Sequence, residues 1–259
     1  IMIKRDELIQ FVYQTIGEEM MAKALEKDEV ANGVQFLGQE AVNKVALGVS
    51  LNEEFLLEAV KDGAQLCIFH HGFDTRTWKS RFPLFAQKRL KIIVENKLTV
   101  MGFHYALDAH PEIGNNATII KLLGAIIKEP LFDEWGYTAK FNQPQNIKEL
   151  LKKCEQLLNH KIFSVLPGPE QITTIGVVSG RGTPEMAELA EMEVKGVQLY
   201  ISGETSEWVV HQMKESEINY FCAGHYASEV FGVQELGKKI KEKFGNNIEV
   251  EFIDVPNEI

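Results

Sequence analysis

Four of the seven histidines stand at or just after the ends of short apolar runs: His70 and His71 follow QLCIF, His104 follows LTVMGF and His225 follows INYFCAG. In folds built on parallel strands the carboxyl ends of the strands open into the crevice where ligands bind. Four imidazoles that share this position in three separate segments therefore point to one site. Two carboxylates keep them company, Asp108 four residues after His104 and Glu229 four residues after His225. A His and a Glu four apart on the first turn of a helix lie on one face and can chelate together.

Taken singly, each residue has an ordinary explanation. A double histidine can be a polar strand end, and alternation aims neighbouring side chains at opposite faces. Asp108 can cap the helix that follows it, and Glu229 suits the positive end of a helix dipole. Taken together, His70, His71, Asp108, His225 and Glu229 exceed the three ligands of a simple catalytic zinc and suit two cations sharing a carboxylate and a water. Bound metal brings the pKa of water towards neutrality, which is the requirement of hydrolysis. Mixed nitrogen and oxygen ligation fits zinc, manganese, iron or nickel. His104, whose ordinary pKa lies near neutrality, is a candidate proton carrier or a partner to the ligands; the rival is a strand-end histidine held on a backbone carbonyl.

The elements that must position these groups follow from periodicity. β-Branched and aliphatic runs at 44–49, 65–69, 98–103, 173–178, 198–201, 218–222 and 248–253 alternate with helical spacing at 5–24, 53–61, 83–95, 115–127, 147–158, 184–193, 207–215 and 227–243. This is the rhythm of an α/β protein with largely parallel sheets. The stretch 128–169, with Pro130, Gly136, Pro144 and Leu166-Pro167-Gly168-Pro169, breaks it. Two similar α/β lobes are therefore expected, 1–127 and 128–259, the segment from about 222 packing back on the first lobe. The turn Ser179-Gly180-Arg181-Gly182-Thr183-Pro184 joins a strand to a helix whose amides could cradle an anion beside Arg181. It lacks the lysine and spacing of a Walker loop, and a tight connection explains the glycines equally well.

Composition sets the limits. With 259 residues, 45% hydrophobic and 25% charged, the chain is ordinary globular protein. A net charge of −10 suits bound cations and makes nucleic acid a poor partner. No apolar run has the length of a membrane span, and the N-terminus mixes charges through a helical pattern without a secretory core, so a cytoplasmic protein is expected. Cys67, Cys154 and Cys222 form no CxxC pair; Cys67 and Cys222 sit in apolar runs and read as core.

Five segments carry a resemblance: Asn32-Gly33-Val34-Gln35, FHHG at Phe69 to Gly72, HYALDAHPEIGNNA at His104 to Ala117, SGE at Ser202 to Glu204, and GHYASEVFGV at Gly224 to Val233. In combination they resemble the GTP cyclohydrolase 1 type 2 homologue family, the NIF-three-like dinuclear metal proteins. The resemblance implies that His70, His71, Asp108, His225 and Glu229 hold two divalent ions. It also implies a two-lobed fold with the metal cleft between lobes, a homohexamer, and ring opening of GTP or a related heterocycle by a metal-dependent hydrolase. Glu204 and His211 fall in the segment similar to the family's SGE-to-His stretch and, with Arg181, are the substrate-binding candidates. The competing expectation is a non-enzymatic metal-binding scaffold or regulatory protein.

Overall fold

A computed structural model of the chain describes residues 2–74 and 81–259. The N-terminal half runs through β1 (Ile3–Lys4), α1 (Arg5–Ile16), α2 (Glu18–Lys27), β2 (Asn32–Phe36), β3 (Ala41–Val42), β4 (Lys44–Ser50), α3 (Glu53–Lys61), β5 (Leu66–His71), α4 (Leu84–Glu95), β6 (Thr99–Phe103) and α5 (Tyr105–Ala109). There follow α6 (Asn115–Leu123), β7 (Ile126–Leu131), β8 (Gly136–Asn146), α7 (Ile147–Leu158), β9 (Phe163–Val165), β10 (Gln171–Val178), α8 (Met186–Val194) and β11 (Leu199–Ser202). The chain closes with α9 (Glu207–Glu215), β12 (Asn219–Cys222), α10 (His225–Ser228), α11 (Val230–Phe244), a short 3-10 turn and β13 (Glu249–Phe252). No helix among the described residues is long and apolar enough to cross a membrane.

These elements form two compact units, the first of residues up to Leu107 with Gly232–Val255, the second of Asp108–Phe231 with Pro256–Ile259. The stretch 128–169, where a boundary is expected from sequence, lies wholly inside the second unit, and the chain passes between units within α5, within α11 and after Val255 instead.

The first unit is built on a five-stranded sheet in the order β13-β4-β5-β6-β2. Its first four strands are parallel, and β2 runs antiparallel to β6. Phe55, Leu56 and Ala59 of α3 and Ala86 and Ile93 of α4 bury against Ala46, Cys67, Phe69 and Val100 of the sheet. Helix α3 begins where the Asn52 side chain accepts the Phe55 N–H at 2.8 Å, satisfying an amide that the helix cannot. The periodic pattern predicts one helix over 5–24, but two form. Gly17 stands between them at φ 87°, a left-handed conformation that ends the first helix.

The second unit carries a six-stranded sheet, β7-β8-β10-β11-β12-β9, with a parallel centre of β10, β11 and β12. Period-two alternation divides its strands between two cores. Ile175, Val177, Leu199, Ile201 and Phe221 face Ile119, Leu150 and Cys154 from α6 and α7. Val178, Tyr200 and Tyr220 face Leu189, Met192, Val209 and Met213 from α8 and α9. The helix expected over 115–127 stops at Leu123, because Gly124 takes φ 88° and turns the chain into β7. Strands β7 and β8 pair antiparallel within the stretch expected to be irregular.

Both sheets thus put parallel strands side by side with their carboxyl ends aligned. In the first unit β5 and β6 deliver His70, His71 and His104 there. In the second, β10, β11 and β12 deliver Ser179-Gly180, Glu204 and His225.

Candidate metal centre

In the first unit His70 is fully buried, its Nδ1 3.1 Å from the Phe103 carbonyl. A carbonyl only accepts, so Nδ1 carries the proton and Nε2 the lone pair. His71 sets Nδ1 3.0 Å from Ser50 Oγ, on the residue opposite it in β4. His104 sets Nδ1 2.8 Å from Asp28 Oδ2. The three rings crowd together, with centroids 4.6, 5.0 and 5.4 Å apart. One nitrogen from each lies within 4.8 Å of the others.

Asp28 is the residue that sequence reasoning missed here. It lies 76 positions from His104 and outside every segment singled out above. Its side chain is only 4% exposed. Oδ2 accepts from His104, from Asn32 Nδ2 at 2.9 Å and from the Tyr105 N–H at 3.0 Å, while Oδ1 accepts from the Val30 N–H at 2.9 Å. Burial pushes the carboxyl pKa up. The hydrogen bond and charge of His104, with the Val30 and Tyr105 amides, outweigh that and hold it at about 2.

In the second unit Asp108, 5% exposed, accepts at Oδ1 from Ser179 Oγ at 2.7 Å and from Asn115 Nδ2 at 2.9 Å. Asn116 locks the same corner, donating to the Asp108 carbonyl at 3.0 Å and accepting the Ser179 N–H at 2.7 Å. The two asparagines are the reason for the NNA ending of the long motif. His225 opens α10 with Nδ1 2.6 Å from Glu204 Oε1 and Nε2 3.1 Å from Glu229 Oε2. Glu204 is therefore the partner that orients His225. The Ser202 hydroxyl and Tyr220 OH fix it by donating to the Glu204 carbonyl at 2.7 and 2.6 Å.

Glu229 is 1% exposed, and one of its oxygens lies within 4.8 Å of one from Asp108. Two buried carboxylates at that distance repel unless a positive charge sits with them. The protein supplies some through His225. Burial lowers that imidazole's pKa, but hydrogen bonding and charge from Glu229, then Glu204, pull it up to about 9. A backbone cradle completes the arrangement. A Cβ on Gly180 would stand 1.9 Å from Glu229 Oε1 and 3.2 Å from His225 Nε2, so only glycine leaves room for this carboxylate. Buried acids, an imidazole fixed in one tautomer at His70 and a glycine that clears space beside Glu229 are the chemistry of a divalent-cation site, and the residues present fit such an ion.

The other candidates are surface or core residues. His211 is 67% exposed on α9, paired with Glu207 at 3.6 Å. Arg181 is exposed beside Gly180. At the head of the helix after that turn Glu188 Oε2 accepts the Glu185 N–H at 2.6 Å. Cys67 and Cys154 are buried as core, and Cys222 is half-buried.

A two-unit α/β protein with histidine and carboxylate donors at its strand ends is the class that fold and site define. The chain belongs to the Duf34/NIF3 (NGG1p interacting factor 3) family, whose sequence signature matches residues 6–258. It is 31% identical over 260 residues to the GTP cyclohydrolase 1 type 2 homolog of Haemophilus influenzae, covering 96% of this chain and 98% of that one. It is 34% identical over 251 residues to the protein of the same name from Escherichia coli, covering 94% and 96%. The solved structure of a protein named ybgI superposes with a TM-score of 0.87 at 31% identity, covering 99% of this chain and all of the other. The resemblance and the α/β fold read from the motifs are borne out.

Proposed function

We propose that the protein is a dinuclear metal-dependent hydrolase, with His70, His71, Asp108, His225 and Glu229 holding two divalent cations. The observation that carries this reading is the Asp108–Glu229 pair: two carboxylates, 5% and 1% exposed, with oxygens within 4.8 Å of each other. A pair of divalent ions would supply Lewis acidity towards a substrate oxygen and lower the pKa of water. His70, His71 and His225 offer nitrogen through rings whose Nδ1 atoms are tied to Phe103, Ser50 and Glu204.

His104 is the residue we assign to moving a proton to or from the reacting ring, with Nδ1 anchored on Asp28. Arg181, exposed beside the Gly180 turn, is assigned to an anionic group of the substrate. His211 has no part in this scheme. The relatives' name, GTP cyclohydrolase 1 type 2 homolog, supports a nucleotide or related heterocycle as substrate, and the reaction we assign to it is hydrolytic opening of the imidazole ring with release of formate. We further propose a homohexamer as the working assembly.

Protein purified without chelator should contain close to two ions per chain by elemental analysis, and Asp108→Ala should lower this sharply. Metal-loaded protein should release formate from GTP. Bound metal without turnover of GTP or a broad nucleotide panel would sink the hydrolase reading and leave a metal-binding scaffold. Light scattering at a mass other than six chains would remove the hexamer alone.

A further inference from the structure

Asp28 belongs to neither the five ligands nor the motifs, yet it is a buried carboxylate with a full set of hydrogen-bond donors. Four donors converge on it: the Val30 and Tyr105 amides, Asn32 Nδ2 and His104 Nδ1. Two of these contacts serve structure. The Tyr105 amide is an N-terminal amide of α5, and Asn32 Oδ1 accepts the next, from Ala106, at 3.1 Å. Asp28 and Asn32 together cap α5 from a distant part of the chain, as a local Asn or Asp would.

The contact to His104 does something else. A carboxylate has no hydrogen to give when ionised, so His104 must donate from Nδ1 and its lone pair must reside on Nε2. The His104 ring also lies 5.0 and 5.4 Å, centroid to centroid, from the rings of His70 and His71. An imidazole locked by a buried carboxylate, its far nitrogen basic and its neighbours metal-ligand candidates, has the geometry by which an acid orients a general base.

We propose that Asp28 is the positioning residue of an Asp28–His104 pair, fixing His104 as the Nδ1–H tautomer so that Nε2 is the atom that accepts and returns the proton. The proposal deepens the hydrolase reading above and rests on its assignment of His104.

The test reads the tautomer directly. Long-range proton–nitrogen correlation spectra of protein labelled with nitrogen-15 histidine and loaded with zinc alone give the protonation of each ring nitrogen, and His104→Gln assigns the resonances. Wild type should show His104 protonated at Nδ1. Asp28→Asn, which can donate to that nitrogen, should move the proton to Nε2 with metal content unchanged. Turnover, where wild type has it, should fall by a factor on the order of 10² to 10⁴, the scale on which a wrong tautomer disables an oriented histidine. Asn32→Ala is the structural control: it breaks the cap to Ala106 and should lower stability while leaving the His104 tautomer in place.

A wild-type His104 protonated at Nε2 would overturn the proposal without need of any Asp28 variant. So would an Asp28→Asn spectrum identical to wild type, or an Asn32→Ala spectrum altered as much as that of Asp28→Asn. Wild-type protein that holds zinc but turns over no nucleotide would count against the hydrolase reading alone, since the nitrogen resonances still decide what Asp28 does.

Discussion

Gly180→Ala should disable metal binding in the second unit while leaving the fold intact. The added Cβ would lie 1.9 Å from Glu229 Oε1, whereas Cβ atoms essentially never approach another atom below 3.0 Å, so the carboxylate must retreat by at least 1.1 Å. Glu229 is 1% exposed and already paired with His225 Nε2 at 3.1 Å, so retreat pulls apart the pair that should share a cation. Gly180 also sits at φ 58°, which costs an L-residue about 1–2 kcal/mol whatever surrounds it. Gly196→Ala separates the two effects. That glycine has φ 65° with nothing within 4 Å of a new Cβ, so it carries the backbone cost alone. Calorimetric titration of chelator-stripped protein with zinc or manganese should show Gly180→Ala weakened by about 10–100-fold or more, the scale seen when the supports of a ligand are disturbed. Gly196→Ala should bind as wild type, and urea melts should place both variants within about 1–2 kcal/mol of each other. Gly180→Ala binding with wild-type affinity, or Gly196→Ala losing as much, would refute the reasoning.

Acid stability should depend on Asp28. Its carboxyl is held at about 2 against 3.8 unfolded, so it contributes about 2 kcal/mol that is fully present above 3.8 and lost as pH falls through 2. Urea midpoints should therefore show Asp28→Asn weaker than wild type at neutral pH, with the gap closing towards pH 2; a gap constant with pH contradicts this. Glu204→Gln should keep a hydrogen-bond partner for His225 Nδ1 but remove its charge, lowering metal affinity about 10–100-fold by calorimetry. Unchanged affinity would mean that Glu204 serves another purpose. Cys67 and Cys154, pushed up to about 12 by burial, should resist alkylation in the native state, whereas half-buried Cys222 should be modified first; mass mapping of early adducts on Cys67 would show that its core opens readily.

Much of this protein is written in local pattern. Helices α3, α7 and α9 fall on the residues that apolar spacing predicts, because each buries one face: in α7, Ile147, Leu150, Cys154 and Leu158. The central parallel strands are equally plain, being buried on both sides and rich in aliphatics. Strands β7 and β8 escape notice because their order comes from neighbours. Ile126 is 48% exposed, and Pro130 and Pro144 interrupt the runs, so nothing in their own spacing marks a strand. The passages between units hide for the opposite reason. Two of the three lie inside α5 and α11, where no proline- or glycine-rich linker announces a boundary.

The candidate ligands were legible because strand ends and a four-residue helical spacing are local signals. Of their supports only Glu204, in the SGE segment, stands out in the sequence; Asp28, Ser50 and the Phe103 carbonyl come from elsewhere in the chain, and only folding joins each to its histidine. What those supports add is a grading of the imidazoles that no motif encodes. His70 leans on a carbonyl and His71 on a hydroxyl, whereas His104 and His225 lean on carboxylates. A carboxylate on Nδ1 raises the electron density at Nε2 more than a neutral acceptor does. Each unit therefore holds one imidazole backed by a carboxylate, His104 in the first and His225 in the second. Glu229 stands against the far nitrogen of His225, whereas the ring of His104 faces those of His70 and His71. The same device of a carboxylate behind an imidazole, buried at Asp28 and half-buried at Glu204, thus serves, on our reading, a cation in one unit and a proton in the other.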